Sequence, residues 1–434
     1  MVSEMKTASP AARRRNARVF RRRPGPGAAA RSGSRRSHVP ALDGLRGLAV
    51  LGVLLFHLGD FPGGFLGVDL FFVLSGFLIT GLLLREAGEN GGRIDLVAFW
   101  GRRARRLMPA LALALGSAMV LASVLGTAAM ARFAHQDAPW VVANLANWHF
   151  IDAQVGYFQA NPTRVFTHLW SIAVEEQFYL LWPPLVLLLL RLRRTAGAGA
   201  GAVAVAGVAL VGALVSAALM ALLVDPMDTT RVYEGTDTRV FALLLGALAA
   251  TPAVRLRVAR LPGPAAGRLA LVPAGLLAAG WALASGTGQI VLFRGGLLLH
   301  SAAAAALIAL LAHAPASPLG RVLSRRPLTV LGGLSYGLYL WHWPLILLLD
   351  HAGPRLDGWV RTLWLGGLAV AVAACSKALL EDPVRHWARW AHGRPGVLAA
   401  VGTLAALAAL WLVLPLIAPT ASGAVVDVTQ LSLP

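Results

Sequence analysis

The stretch Leu42–His57, LDGLRGLAVLGVLLFH, is apolar enough to enter a bilayer yet carries Arg46 and His57. Eleven residues of α-helix rise about 16 Å and complete about three turns, so both side chains share one face. Ionisable groups are costly in hydrocarbon, and those retained there mark pathways or reaction sites. The segment reads both as a membrane helix and as one wall of a site.

Outward from it, the composition repeats the message. Of the 434 residues, 57% are hydrophobic and only 14% charged, where a soluble domain carries about 25% charged. Apolar stretches long enough to span a bilayer recur near 42–60, 66–84, 107–127, 167–190, 198–224, 238–252, 269–287, 294–313, 328–349, 358–380 and 395–417. The expectation is an all-α polytopic membrane protein of about eleven transmembrane helices, the sixth the shortest.

Basic residues orient the chain. With the N-terminus inside, all but seven of the 39 Lys and Arg fall on the cytoplasmic side. The exceptions are Arg132, Arg164, Arg231, Arg239, Arg294, Arg355 and Arg361. This predicts N-in, C-out. The net charge of +19 then describes a membrane surface facing anionic lipid, not a nucleic-acid groove. The tail 1–39, with arginine triplets at 13–15 and 21–23, reads as disordered and cytoplasmic. The first span lacks a small-residue cleavage site, so it reads as a retained helix rather than a signal peptide. The single cysteine, Cys375, excludes a disulfide framework, a Cys-ligated zinc site and a haem attachment motif, and is expected to be a small buried residue.

Polar residues recur inside other spans. GGFLGVDLFFVLSGFLIT (63–80) carries Asp69 and Ser75. THLWSIAVEEQFYLLWPP (167–184) carries His168, Glu175, Glu176 and Gln177, and LTVLGGLSYGLYLWHWPLILLL (328–349) carries Ser335, Tyr336, Tyr339 and His342. A lone Ser or Tyr in a span commonly bonds a neighbouring helix, whereas two adjacent acids in hydrocarbon demand partners. Counting rise along each span puts His57, Glu175 and His342 in one layer about 16–21 Å above the inner edge. Acid–base chemistry is available there: a His takes a proton from a hydroxyl while a carboxylate fixes its tautomer. No His pair has helical ligand spacing, so no metal is expected. On the cytoplasmic side, FWGRRARRLMP (99–109) packs Arg102, Arg103, Arg105 and Arg106 before the third span. These serve as positive-inside anchors or bind a phosphorylated ligand.

Taken together, these blocks resemble the bacterial integral-membrane acyltransferase-3 family of O-acyltransferases. Arg46 and His57 fit its Arg-x10-His signature, and Arg102, Arg103, Arg106 and Pro109 fit its Arg-Arg-x-x-Arg-x-x-Pro signature. The segments 63–80, 168–183 and 335–344 and the closing Glu381-Asp382-Pro383 resemble its other blocks, so the likeness covers residues 40–392. It implies transfer of an acyl group, usually acetyl, from cytoplasmic acyl-CoA to an extracytoplasmic hydroxyl on a glycan or secondary metabolite. Acyl-CoA is then a donor substrate, with no tightly bound cofactor, and the location is the bacterial cytoplasmic membrane. The resemblance makes His57 the general base or acyl carrier, Arg46 a lining of the donor passage, and Arg102, Arg103 and Arg106 the partners of the nucleotide phosphates. Glu175 is the expected partner of His57, with Glu176 the alternative, and Asp69, Ser75, Tyr339 and His342 are expected along the cavity.

The family core has ten spans, so 393–417 reads as an additional helix, followed by a short extracytoplasmic tail, 418–434. In relatives an extra span leads to an esterase-type domain; here such a domain would be a separate partner. The rival function is a transporter or flippase of a glycan or lipid-linked substrate, against which stands the lack of internal repeats. The acceptor would be chosen by the loops 128–166 and 224–237, expected outside the membrane. Their Trp and Tyr read as an interfacial belt, with stacking on a sugar ring the alternative.

Overall fold

The computed structural model describes residues 38–158, 161–197, 199–285, 289–387 and 393–417. The expectations for the basic tail and for 418–434 lie almost wholly outside them. The described residues are mostly helical, with no strand among them. In chain order the helices are α1 (Pro40–Leu58), α2 (Gly67–Glu89), α3 (Leu96–Val124), α4 (Ala128–Val142), α5 (Ala146–Asp152), α6 (Trp170–Leu192), α7 (Ala200–Leu223), α8 (Thr230–Glu234) and α9 (Thr236–Ala250). They continue as α10 (Pro252–Val258), α11 (Gly263–Leu269), α12 (Leu271–Leu283), α13 (Leu297–His313), α14 (Pro318–Leu323), α15 (Arg326–Ala352), α16 (Gly358–Ser376) and α17 (Gly393–Ile417).

Among the described residues, nine helical stretches are long and apolar enough to cross a membrane. They coincide with nine of the eleven expected spans. The sixth expectation, 238–252, is α9, which bends by 59° into α10 and makes a tenth stretch if the pair is one span. The ninth, 328–349, is α15, whose 27 residues are long enough to cross. Tyr336, Tyr339, Trp341, His342 and Trp343 lower its hydropathy below that of a plain lipid-facing span.

Two further expectations change. Segment 128–166 is not a plain outer loop. Helices α4 and α5 fold back against the bundle, and at the turn between them Asn144 adopts φ 56°. The Gln177 amide donates to Asn144 O (2.8 Å) and to Asn147 Oδ1 (3.0 Å), tying this turn to the interior of α6. Within the hairpin the buried carboxylate of Asp137 meets Arg164 (2.7 Å) and His149 (2.9 Å). Cys375 is exposed rather than buried, because it stands on the outward face of α16.

Helices α1, α2 and α13 are mostly covered by their neighbours, whereas α17 faces outward along almost its whole length. The central contacts are backbone to backbone. A Cβ at Gly332 of α15 would sit 1.9 Å from Asp43 O of α1, and one at Gly47 2.2 Å from Leu328 O. Between α2 and α9, a Cβ at Gly76 would sit 1.8 Å from Leu243 O, and one at Gly246 2.0 Å from Val73 O. Small residues that let helix axes approach are the means by which membrane helices associate without a hydrophobic driving force. Register follows from these contacts. Residues 43, 46 and 57 of α1 meet 332, 335 and 342 of α15, so the two helices run parallel. Residues 69 and 76 of α2 meet 239 and 243 of α9, and 75 and 80 meet 175 and 182 of α6, again in parallel.

Candidate functional site

His57 lies in the last turn of α1, which Gly59 ends in the left-handed conformation at φ 88°. It is half-buried. Its Nδ1 lies 3.0 Å from Val53 O, four residues back, and 3.1 Å from Nε2 of His342 on α15. His342 repeats the arrangement, with Nδ1 3.1 Å from Leu338 O. A carbonyl only accepts, so each Nδ1 carries the proton. His57 Nδ1–H is then shared between Val53 O and the free Nε2 of His342, and His57 Nε2 is left as a proton acceptor. The helix backbone thus sets the tautomer, a task a carboxylate performs in other sites.

The layer beneath His342 holds it in place. Tyr339 donates to His168 O at 2.8 Å and pairs with Ser171 Oγ at 2.6 Å. The rings of Tyr339 and His168 lie 5.4 and 5.3 Å from that of His342. Trp343 and Tyr157 flank His57 at 4.8 and 5.5 Å between ring centroids.

Glu175 is not the hydrogen-bonding partner of His57. Its Oε1 accepts from the hydroxyls of Ser75 and Tyr179, and it lies within electrostatic reach of Arg46 rather than of His57. Depth explains the difference. Trp170 opens α6 beside Tyr157, and five residues further along Glu175 lies about 7 Å deeper than that level. The expected single layer is therefore two. His57 and His342 form the outer one; Arg46, which donates to Ser335 Oγ at 3.0 Å, Glu175, Tyr179 and Ser75 form the inner one. At this inner level the Arg103 guanidinium stacks over the Tyr179 ring, 4.0 Å from its centroid. Arg106 lies near Arg46 and Arg103, while Arg102 is exposed and paired with Glu86 at 3.2 Å. Glu176 lines a different space from His57, a cavity of about 220 Å³ bordered by Arg103, Tyr179, Tyr336 and apolar side chains of α3 and α17.

Asp69 does not face open space. It is fully buried and paired with an equally buried arginine, Arg239 of α9, at 3.0 Å. The pair is close in distance but not aligned as a hydrogen bond, and Asp69 Oδ1 and Oδ2 and Arg239 Nε, Nη1 and Nη2 have no such partner. The guanidinium lies 4.6 Å from the Tyr233 ring and 5.7 Å from Trp170. An unmet hydrogen-bonding group in a dry interior costs about 1–3 kcal/mol, so this region is the costliest polar cluster beside His57. The sequence motifs leave Arg239, Tyr157, Tyr233 and His168 without a role. The signal for Arg239 was present: a lone arginine in one apolar run and a lone aspartate in another form a neutral pair. Tyr157 and Tyr233 stand outside any periodic pattern and gave none.

A family model described as an acyltransferase domain matches residues 39–378. Among curated proteins, the chain is 40% identical over 361 residues to YrhL of Bacillus subtilis, named as a peptidoglycan O-acetyltransferase, covering 80% of this chain and 55% of that protein. It is 37% identical over 368 residues to the peptidoglycan O-acetyltransferase OatA of Listeria monocytogenes, covering 81% and 56%. To the O-acetyltransferase OatA of Staphylococcus aureus it is 34% identical over 357 residues, covering 80% and 57%. The chain thus spans little more than half the length of these relatives. No solved structure matches it. With its helical blocks in order and the family model matched across the bundle, the chain belongs to the acyltransferase-3 family and is a multi-pass membrane protein.

Proposed function

We propose that the chain moves an acetyl group from cytoplasmic acetyl-CoA to a hydroxyl of an extracytoplasmic glycan, with His57 as general base. The carrying observation is the His57–His342 contact at 3.1 Å, which leaves His57 Nε2 free to accept a proton. The relatives' names point to peptidoglycan as the acceptor class. In the reaction His57 Nε2 takes the hydroxyl proton while the oxygen attacks the thioester carbonyl. The C–O bond forms, the C–S bond breaks, and the departing thiolate of CoA takes the proton back from His57. His342 positions the imidazole.

Arg46 and the Glu175–Tyr179–Ser75 group would line the donor passage, with Arg102, Arg103 and Arg106 meeting the CoA phosphates through charge-assisted hydrogen bonds. Parallel pairing of α1 with α15 and of α2 with α6 and α9 fits eleven crossings, α15 and the α9–α10 pair included, and the basic residues favour the N-terminus inside. We assign residues 40–392 to the acyltransferase domain and 393–417 to an additional crossing, in the bacterial cytoplasmic membrane.

The test is transfer of label from acetyl-CoA to a soluble peptidoglycan glycan by the purified protein and by His57→Ala. A positioned base contributes about 10²–10⁴-fold, so the variant should lose at least about 10²-fold at an unchanged melting temperature. Transfer at the wild-type rate by His57→Ala contradicts the assignment. Movement of glycan without consumption of acetyl-CoA would support the transporter reading instead.

A further inference from the structure

The first turns of α2, α6, α9 and α13 converge at the end of the bundle where α1 finishes with His57. Asp69, Trp170, Arg239 and His300 come from those turns, and Tyr157 and Tyr233 complete the group. Asp69, Trp170, Arg239 and Tyr233 are fully buried, and His300 is 8% exposed. Both Asp69 oxygens, three Arg239 nitrogens, the two tyrosine hydroxyls, Trp170 Nε1 and His300 Nδ1 are buried without a hydrogen-bond partner. They are contiguous: Tyr157 stacks on Tyr233 at 5.2 Å, Trp170 lies 5.0 Å from Tyr233, and Tyr157 touches the His57 ring. His300 lies within electrostatic reach of both Asp69 and Arg239.

The chemistry of this group restricts what it can hold. An anion would meet the Asp69 carboxylate, and a cation would meet Arg239. The pair is neutral overall and offers acceptors on one member and donors on the other. A group that both donates and accepts satisfies both members at once, which is what an alcohol does. Aromatic faces beside such a pair suit the apolar face of a sugar ring. Elsewhere buried polar groups are met locally, as Asn147 is by Gln177, Thr236 and Glu234 O, or are left as single atoms such as Arg103 Nε, Asp137 Oδ2 and Trp341 Nε1. The surplus is concentrated where His57 meets the outer end.

We propose that the buried cluster of Asp69, Arg239, Tyr157, Tyr233, Trp170 and His300 is the acceptor subsite, which binds the hydroxyls of a neutral sugar and presents one of them to His57. This rests on the acyl-transfer reading for the identity of the reaction, but binding itself is read separately. The experiment is saturation-transfer NMR on the full chain in nanodiscs, with an N-acetylglucosamine tetramer as probe and inorganic phosphate as competitor. It is repeated with Tyr233→Phe and Tyr157→Phe, each of which keeps the ring and removes one hydroxyl.

The wild type should show saturable binding that phosphate does not displace. Each variant should weaken it about tenfold, the equivalent of one hydrogen bond of about 1.4 kcal/mol. In turnover assays the acceptor KM should rise by the same factor while the acetyl-CoA KM stays within twofold. Absence of saturable binding by the wild type overturns the subsite, as does displacement by phosphate or an unchanged affinity in both variants. If binding behaves as expected but acetyl-CoA is not consumed, the acyl-transfer reading fails and the subsite stands.

Discussion

At the scale of single residues, the proposed chemistry depends on which ring nitrogen of His57 is free. The shared Nδ1–H bond to Val53 O and His342 fixes this, so changes at position 342 grade the effect. His342→Leu leaves the Nδ1–H with Val53 O alone and loses about 1 kcal/mol of orientation, or about fivefold in kcat. His342→Gln, whose amide oxygen can accept the same proton, should retain more activity than His342→Leu at an equal acetyl-CoA KM. Equal rates for the two variants would show that His342 serves packing alone. His57 and Arg46 were legible in the sequence because eleven residues of helix align them on one face. The partner of His57 was not. Rise along a helix gives depth only relative to its assumed start, and an error of about five residues at the start of α6 raises Glu175 by about 7 Å, to the level of His57. The i−4 carbonyl that replaces a carboxylate is backbone and leaves no mark on the residue pattern.

At the scale of elements, the seam between α1 and α15 sets the site. Asp43, Arg46 and His57 on one helix meet Gly332, Ser335 and His342 on the other. A Cβ at Gly332 would lie 1.9 Å from a backbone oxygen that cannot rotate away, whereas one at Gly333 meets nothing within 4 Å. Gly332→Ala should therefore destabilise by about 1–3 kcal/mol, as overpacking does, and separate the two histidines; Gly333→Ala should be close to neutral. Thermal unfolding of both variants in detergent checks this, and equal melting temperatures would contradict the close approach. That 328–349 is a helix was legible, since its length and apolar ends suffice. The fold-back of α4 and α5 was not. Segment 128–166 is polar enough to read as a loop, and one tie to the bundle, from Gln177 to the turn at Asn144, comes from a residue of another helix.

For the whole molecule, the parallel pairs fix relative helix directions, and the basic residues predict a sidedness that can be measured. In a Cys375→Ala background, Arg325→Cys and Asn90→Cys should react with an impermeant maleimide only from the cytoplasmic face, and Asp225→Cys and Asp357→Cys only from outside. Reaction of 325 and 357 from one side would remove α15 as a crossing. Reading basic residues predicts an N-terminus inside, because 12 of the 39 Lys and Arg fall at or before Arg46. It could not anticipate that Arg239, counted as an exception on the outer side, is an internal partner of Asp69. The central claim, acetyl transfer across the membrane at His57, is tested most directly in proteoliposomes with labelled acetyl-CoA inside and a soluble peptidoglycan glycan outside. Label should reach the outer glycan with the wild type and fall at least about 10²-fold with His57→Ala. Label that reaches the glycan only when donor and acceptor share one compartment, or that reaches it equally with His57→Ala, would contradict it.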